Sequence, residues 1–330
     1  MNDHTVSVLQ EKQTFKVFAP HVVLLGAGAS RAATEKSGDK NGKVLPLMRD
    51  LVSIGNIGSY FSADSGKDFE TAYQEIKDPK AKEQIEKDLY NYFSSLKLPD
   101  YPTIYDHLVL SLRETDLIAT FNWDPLLIQA YRRSEKAGFT SLPKLAFLHG
   151  NVLVGFCEND KTAGLIGSRC SKCGKTLTPS KLLYPEKKDY QSDPIILSQW
   201  KLLQNFLERA MMFTVFGYSA PVTDQEAISL MKQAWGEVSQ REMEQVELIA
   251  QKGVDKEKLA ESWNGFIHTH HYEVVEGFYD SWIANHSRRT IEAYFHQYIE
   301  AKWIDSNPVP QTNDWDELYD WYRDITQYEK

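Results

Sequence analysis

The sequence predicts an α/β fold: a mostly parallel sheet flanked by helices, with a small cysteine-containing insert and a helical C-terminal region. Three observations carry that expectation. Short apolar runs without polar alternation recur along the chain, the pattern of strands buried on both faces. Long helical stretches separate them, as at Lys80 to Leu96 and Pro194 to Arg209. Each run also ends in a glycine-rich or polar segment, where open α/β sheets place their ligands.

The elements follow in order. After a polar leader, residues 1–20, the first strand is His21-Val22-Val23-Leu24-Leu25, which runs into the turn Gly26-Ala27-Gly28-Ala29-Ser30. Residues 36–45 are rich in glycine and lysine and read as a mobile flap. The second strand, Leu117 to Thr120, meets Phe121-Asn122-Trp123-Asp124, and the third, Lys144 to Leu148, meets His149-Gly150. The insert spans 155–191 and holds all three cysteines. The fourth strand, Met212 to Phe216, ends in Gly217-Tyr218-Ser219. A unit over 21–223 thus carries the chemistry. Residues 224–330 read as helical, with an aromatic tail (Trp315, Leu318, Tyr319, Trp321, Tyr322), and either complete that domain or mediate assembly.

Composition narrows the class. The 330 residues are 42% hydrophobic and 25% charged, ordinary globular usage that excludes wholesale disorder. Lysine and arginine total 37 against 46 acids, a net charge of −9 that argues against non-specific nucleic-acid binding. Three cysteines make no disulfide framework, and a reduced, cytoplasmic setting fits. The start is too polar for a signal peptide, and no apolar run is long enough to span a membrane.

Four strand ends then converge on one crevice, and their residues are the candidates for chemistry. Gly26 and Gly28 permit close approach of a phosphate to a helix N-terminus, and Ser30 adds a hydroxyl. Arg31 stands where the dinucleotide fingerprint needs glycine or alanine, which disfavours an ordinary dehydrogenase. Thr120, Asn122 and Asp124 alternate and so point to one side. Asn122 suits a ribose hydroxyl or a water, whereas Asp124 before Pro125 reads first as a helix cap with proline at the first helical position. His149 at a strand end can act as a base. Gly217, Tyr218, Ser219 and Asp224 offer a second phosphate or ribose site, with a cap by Thr223 or Asp224 as the alternative. Cys170 and Cys173 form a C-x-x-C knuckle. Cys157 is a third thiolate and Glu158, Asp160 or a histidine a possible fourth ligand, so the insert reads either as a zinc site or as a metal-free ribbon. The group His268, His270 and His271 lacks metal-type spacing and reads as a polar strand end.

Taken together, Gly26-Ala27-Gly28-Ala29-Ser30, Thr120-Phe121-Asn122-Trp123-Asp124, Leu148-His149-Gly150, the knuckle at 170–174 and Gly217-Tyr218-Ser219 occur in the order seen in the sirtuin-like (silent information regulator) family. The chain resembles that family over roughly 20–230, with its Rossmann-like sheet. The resemblance implies NAD+ as substrate, its phosphates on Gly26, Ala27, Gly28 and Ser30 and its nicotinamide ribose and amide near Asn122 and Asp124. It makes His149 the general base and puts the adenosine on Gly217, Tyr218 and Ser219. Departures are Phe121 in place of glutamine, Gly42-Lys43-Val44-Leu45-Pro46-Leu47 in place of a G-I-P-D-F-R-like segment, and one cysteine pair reduced to Cys157. In the Phe121-Asn122-Trp123-Asp124 form, the Leu45-Pro46 segment and Gly217-Tyr218-Ser219 with Pro221, Thr223 and Asp224, the chain looks more like bacterial sirtuin-like NADases of antiphage defence. That likeness implies an NAD+ hydrolase releasing nicotinamide and ADP-ribose, a homo-oligomer, and a partner such as a HerA-type ATPase. A protein-lysine deacylase and a non-catalytic NAD- or ADP-ribose-sensing subunit are the alternatives.

Overall fold

The computed structural model describes residues 5–6, 19–34, 38–54, 57–61, 69–184, 189–220 and 224–329. Nearly all of the leader, Thr223, and the first two residues of the expected flap lie outside the described residues.

Six parallel strands form the main sheet: β1 (His21–Leu25), β2 (Leu117–Thr120), β3 (Lys144–Phe147), β4 (Met212–Phe216), β5 (Gln245–Ala250) and β6 (Tyr272–Glu276). Their order across the sheet is β3-β2-β1-β4-β5-β6, so the chain works outward on one side of β1 and then returns to its other side. The direction of winding reverses between β1 and β4, and the loops there part to leave a crevice. The register makes that crevice level. Leu25 stands opposite Thr120 on one side and Phe216 on the other, and Thr120 opposite Phe147, so the connecting turns leave the sheet at one height.

Helices cover both faces. On one lie α1 (Ala27–Thr34), α2 (Phe69–Glu75), α3 (Pro79–Ser94), α4 (Ile104–Ser111) and α5 (Leu126–Lys136); on the other lie α6 (Pro194–Leu207), α7 (Gln225–Trp235) and α8 (Lys256–Ser262). The starts of α3 and α6 are written in the sequence: Asp78 and Asp193 accept backbone N–H groups of the first turn, with proline at the first helical position. Ile85, Leu89 and Phe93, four residues apart, turn one stripe of α3 inward. Strand alternation divides the core in two. Val23 and Leu25 pack with Leu89, Leu108 and Leu126, whereas Val22 and Leu24 pack with Trp200, Leu203 and Trp263.

Past residue 224 the chain carries the expected helices and also two strands, β5 and β6, which extend the same sheet. Three helices follow, α9 (Trp282–Asn285), α10 (Thr290–Tyr294) and α11 (Trp315–Thr326). The aromatic tail covers the first core: Leu318 and Tyr322 are fully buried, and the Tyr322 hydroxyl donates to the His107 carbonyl. The insert is a three-stranded antiparallel ribbon, with Val154–Cys157 between Thr162–Leu165 and Thr178–Pro179. The flap expected at 36–45 is pinned over its described part. Asp39 is buried and accepts from the backbone N–H groups of Asn41, Lys43 and Lys97, which ties the loop to the end of α3. No helix among the described residues is long and apolar enough to cross a membrane.

Candidate active site

A cavity of about 670 Å³ opens at the C-terminal ends of β1, β2, β4 and β5, within the ~300–1,000 Å³ usual for small-molecule sites. Gly26, Ala27, Gly28, Ser30, Asn122, Asp124, His149, Gly217, Tyr218, Ser219 and Asp224 all line it. Thr120 does not. It is buried beneath, where its hydroxyl accepts from the Asn122 backbone N–H (3.0 Å), so it shapes the turn and leaves ligand contact to its neighbours.

The glycines serve a different purpose from the one their spacing suggests. Gly26 N–H donates to Phe216 O and Gly28 N–H to Gly217 O, both at 3.0 Å, and Ala29 N–H turns back to Gly26 O. A Cβ on Gly26 would lie 2.5 Å from Gly217 O, and one on Gly28 would lie 2.8 Å from Gly217 Cα. Gly217 itself has a φ of +67°. The three glycines therefore let the β1 and β4 turns interlock, and their spent amides offer an anion little. What remains for a phosphate is the N-terminal end of α1 with its dipole.

Ser30 is likewise committed. Its hydroxyl donates to Asp124 Oδ2 (2.7 Å), so the Tyr105 hydroxyl, 2.6 Å away, must donate to it, and Asn122 Nδ2 donates as well (2.9 Å). With one proton given and two accepted, the hydroxyl has no donor left for a ligand. Asp124 Oδ1 accepts from Leu126 N–H (3.0 Å), so Asp124 holds the start of α5 from one residue outside Pro125, which takes the cap position, alongside the Ser30 bond. Burial pushes the Asp124 carboxyl above the usual range, against the pull of those hydrogen bonds. Burial and then the Asp124 charge raise the Tyr105 phenol well above its ordinary value, so it keeps its proton. The second proton of Asn122 Nδ2 goes to Gly26 O (2.8 Å), which fixes the amide and leaves Oδ1 as an acceptor on the cavity wall.

Across the cavity His149 sits on the turn after β3, only 6% exposed. Its Nε2 is 3.0 Å from the Tyr190 hydroxyl, and the two rings stack 5.7 Å apart. Phe121 lies against the other side of His149 at 4.6 Å and against Tyr218 at 4.5 Å. The Tyr218 hydroxyl donates to Asp224 Oδ2 (2.9 Å). Burial, and after it the charges of Asp224, Glu226 and Glu70, raise the Tyr190 phenol; burial and Asp224 raise Tyr218. Leu45, Pro46, Leu47, Phe93 and Trp123 close the cavity as an apolar wall. Sequence patterns do not reveal Tyr105, Tyr190 or Glu70, which lie between the motifs and reach the site only through packing.

In the ribbon, Cys157, Asp160, Cys170 and Cys173 bring one ligand atom each to within 4.8 Å of one another. Cys157 Sγ is 3.4 Å from Cys173 Sγ, and Cys170 Sγ is 3.2 Å from Asp160 Oδ2. Tetrahedral ligands about 2.0–2.3 Å from a zinc ion give spacings of this size, so the set fits zinc, with Asp160 as the fourth ligand. Cys157 and Cys170 are buried in the ribbon, and none of the four residues lines the cavity.

No protein-family model matches the chain, and no curated protein does. Solved structures similar to it include a Sir2 homologue–NAD complex, 16% identical, covering 85% of this chain and 89% of that one, with a TM-score of 0.38. A mutant Sir2 homologue with ADP-ribose is 17% identical, covering 74% of this chain and 90% of that one, with a TM-score of 0.38. Sir2 with an inhibitor, 2′-O-acetyl-ADP-ribose and a deacetylated p53 peptide is 15% identical, covering 74% and 91%, with a TM-score of 0.35.

Proposed function

We propose that the protein is an NAD+ hydrolase that releases nicotinamide and ADP-ribose. The observation that carries this reading is the meeting, in one cavity at the switch point of the sheet, of a helix N-terminus, the fixed acceptor Asn122 Oδ1 and His149. The pyrophosphate lies toward α1, where the dipole favours it. The bond between ribose C1′ and the nicotinamide nitrogen breaks with its electron pair going to the ring, which leaves an oxocarbenium-like ribose. A water held by Asn122 Oδ1 attacks C1′, and His149 takes its proton. The bond between His149 Nε2 and the Tyr190 hydroxyl orients the ring for that transfer.

Phe121 lies against His149 and the Tyr190 hydroxyl meets its Nε2, which holds the ring in place on the cavity wall. Water as the nucleophile makes the protein a hydrolase; an acyl-lysine oxygen attacking the same C1′ would make it a deacylase.

Zinc, where bound by Cys157, Asp160, Cys170 and Cys173, would cross-link the ribbon and take no part at C1′. The role in antiviral defence by NAD depletion in the cytoplasm, the homo-oligomer and a HerA-type ATPase partner belong to this proposal through the sequence resemblance. An enzyme that drains NAD needs such a gate. The deciding experiment is chromatographic: nicotinamide release from NAD+ by the purified chain, with and without an acetylated peptide. Release without peptide is expected. Release only with peptide would make the protein a deacylase. Light scattering of the active sample checks assembly, and an active monomer would remove the oligomer from the proposal.

A further inference from the structure

Charge is gathered on the outside of the molecule in two places that contacts within the chain do not explain. The first is the tip of the ribbon. Lys161, Arg169, Lys172 and Lys175 are exposed there. Each stands within two residues of a member of the Cys157, Asp160, Cys170 and Cys173 set, whose ligand atoms lie within 4.8 Å of one another, so the four cations ring one small cluster. The Arg169–Thr176 bridge and the bond from Cys170 N–H to Lys175 O (2.8 Å) close the loop that carries three of them. None forms an ion pair with an acid among the described residues. Over 154–179 the acids are Glu158 and Asp160, so the tip stays positive with or without zinc, in a chain whose net charge is −9.

The second place is α11. Asp316, Asp320 and Asp324 recur every fourth residue with Glu317 beside them, and all four are exposed. Like charges four apart on a helix repel. The helix dipole favours Asp316 and Glu317 in the first turn but opposes Asp324 in the last. Arg323 pairs with Asp320 (2.9 Å) and Gln327 donates to Asp324 (2.7 Å), which still leaves the stripe negative. The opposite face of α11, with Leu318, Tyr322 and Ile325, is the one that the fold uses.

Each gathering of charge repels itself, and each matches the other in sign and extent. No ion pair joins them within the chain among the described residues. We propose that the ribbon tip of one copy docks on the α11 stripe of a second copy. Opposed patches of this kind fix partner and register. The contact joins two different faces, so it closes as a reciprocal pair or as a ring. It gives a surface to the homo-oligomer proposed above, rests on that part of the proposal, and uses no residue that lines the cavity. A polyanion such as DNA would suit the tip alone and leave the α11 stripe without a partner.

Charge exchange in the full chain, followed by light scattering, tests the contact. Lys172→Glu/Lys175→Glu sets acid against acid, and Asp320→Lys/Asp324→Lys sets base against base. Each variant alone should dissociate, its dissociation constant raised at least about tenfold, and salt raised from about 0.05 M to about 0.5 M should dissociate the wild type likewise. Mixed in equal amounts, the variants present opposite charges at every contact and should recover the wild-type mass, which also shows that both fold. A monomeric wild type, a wild-type mass indifferent to salt, or a mixture that stays monomeric would overturn the proposal. Variants that each assemble like the wild type would overturn it too, and would leave a homo-oligomer built through another face. If the ribbon variant keeps its mass but loses a fluorescent DNA duplex that the wild type binds, the tip serves nucleic acid and the proposal falls. Mass is read without turnover, so failure of the hydrolase reading would leave this result intact.

Discussion

Asn122 does two jobs with one amide, and they can be separated. Its Nδ2 satisfies Gly26 O and Ser30 Oγ, which ties the β2 turn to the β1 turn, while Oδ1 is left as an acceptor on the cavity wall. Asn122→Ala should therefore lower stability by about 1–3 kcal/mol, the cost of leaving buried acceptors without a donor, and cut nicotinamide release at least about 100-fold. Urea denaturation and single-turnover release on the same sample check both effects. Turnover within a few-fold of wild type, at any stability, would remove Asn122 from the chemistry. Asn122 and His149 were legible in the sequence because each follows a buried apolar strand, where polarity has no packing reason to occur. Ser30 was legible as a site residue but not in its role, since its saturation by Asp124, Tyr105 and Asn122 depends on three elements distant in sequence. Tyr190 and Glu70 had no local pattern at all.

Among the elements, the ribbon has little core of its own beyond the anchoring of Val154 and Leu165 on the main core. Its own core is Cys157, Cys170 and Leu177, far too little apolar area for three short strands. A zinc ion across the three thiols and Asp160 would supply a cross-link. Metal analysis is expected to find one zinc per chain. Removing it with a chelator should speed amide exchange across 154–179 while ADP-ribose binding persists, because the cavity is built by the main sheet. Equal protection with and without metal would make this a metal-free ribbon. The first four strands were readable from uninterrupted apolar runs. Strands β5 and β6 were not, for physical reasons: Glu247 interrupts the apolar run of β5, and β6 at the sheet edge carries Glu273 and Glu276 among its apolar residues. Glu247 is tolerated because Thr214 and the Trp282 backbone N–H donate to its carboxylate.

Protons set the stability of the molecule as a whole. Burial lowers His21 to about 3 and His107 to about 4; burial and then Arg289 lower His286 to about 3. Each stays neutral when folded and takes up a proton on unfolding below its ordinary value of 6.5. The stability they confer is present above that pH and is lost as pH falls. Burial raises Glu247 to about 7, the opposite case: its protonated form is favoured in the fold, and stability falls as pH rises from 4.5 toward 7. Between pH 7.5 and 5.5 these three histidines remove about 4 kcal/mol and Glu247 returns about 2, with the raised carboxyls of Asp106, Asp116, Asp124 and Glu292 acting in the same direction as Glu247. His107 singles itself out within this set. Neither ring nitrogen has a partner among the described residues, and the ring sits among Phe278, Tyr279 and Tyr322. His107→Phe keeps an aromatic ring in an aromatic nest and removes two unpaired polar atoms. It should stabilise the protein by about 1–3 kcal/mol at pH 7.5 and by about 1.4 kcal/mol more at pH 5.5, measured by urea denaturation at the two pH values. The same gain at both would mean that His107 does not titrate on unfolding, and a loss at both would mean that its nitrogens are hydrogen-bonded in solution. The His107 backbone carbonyl still accepts from Tyr322 in the variant, so the tail stays docked and the comparison isolates the ring.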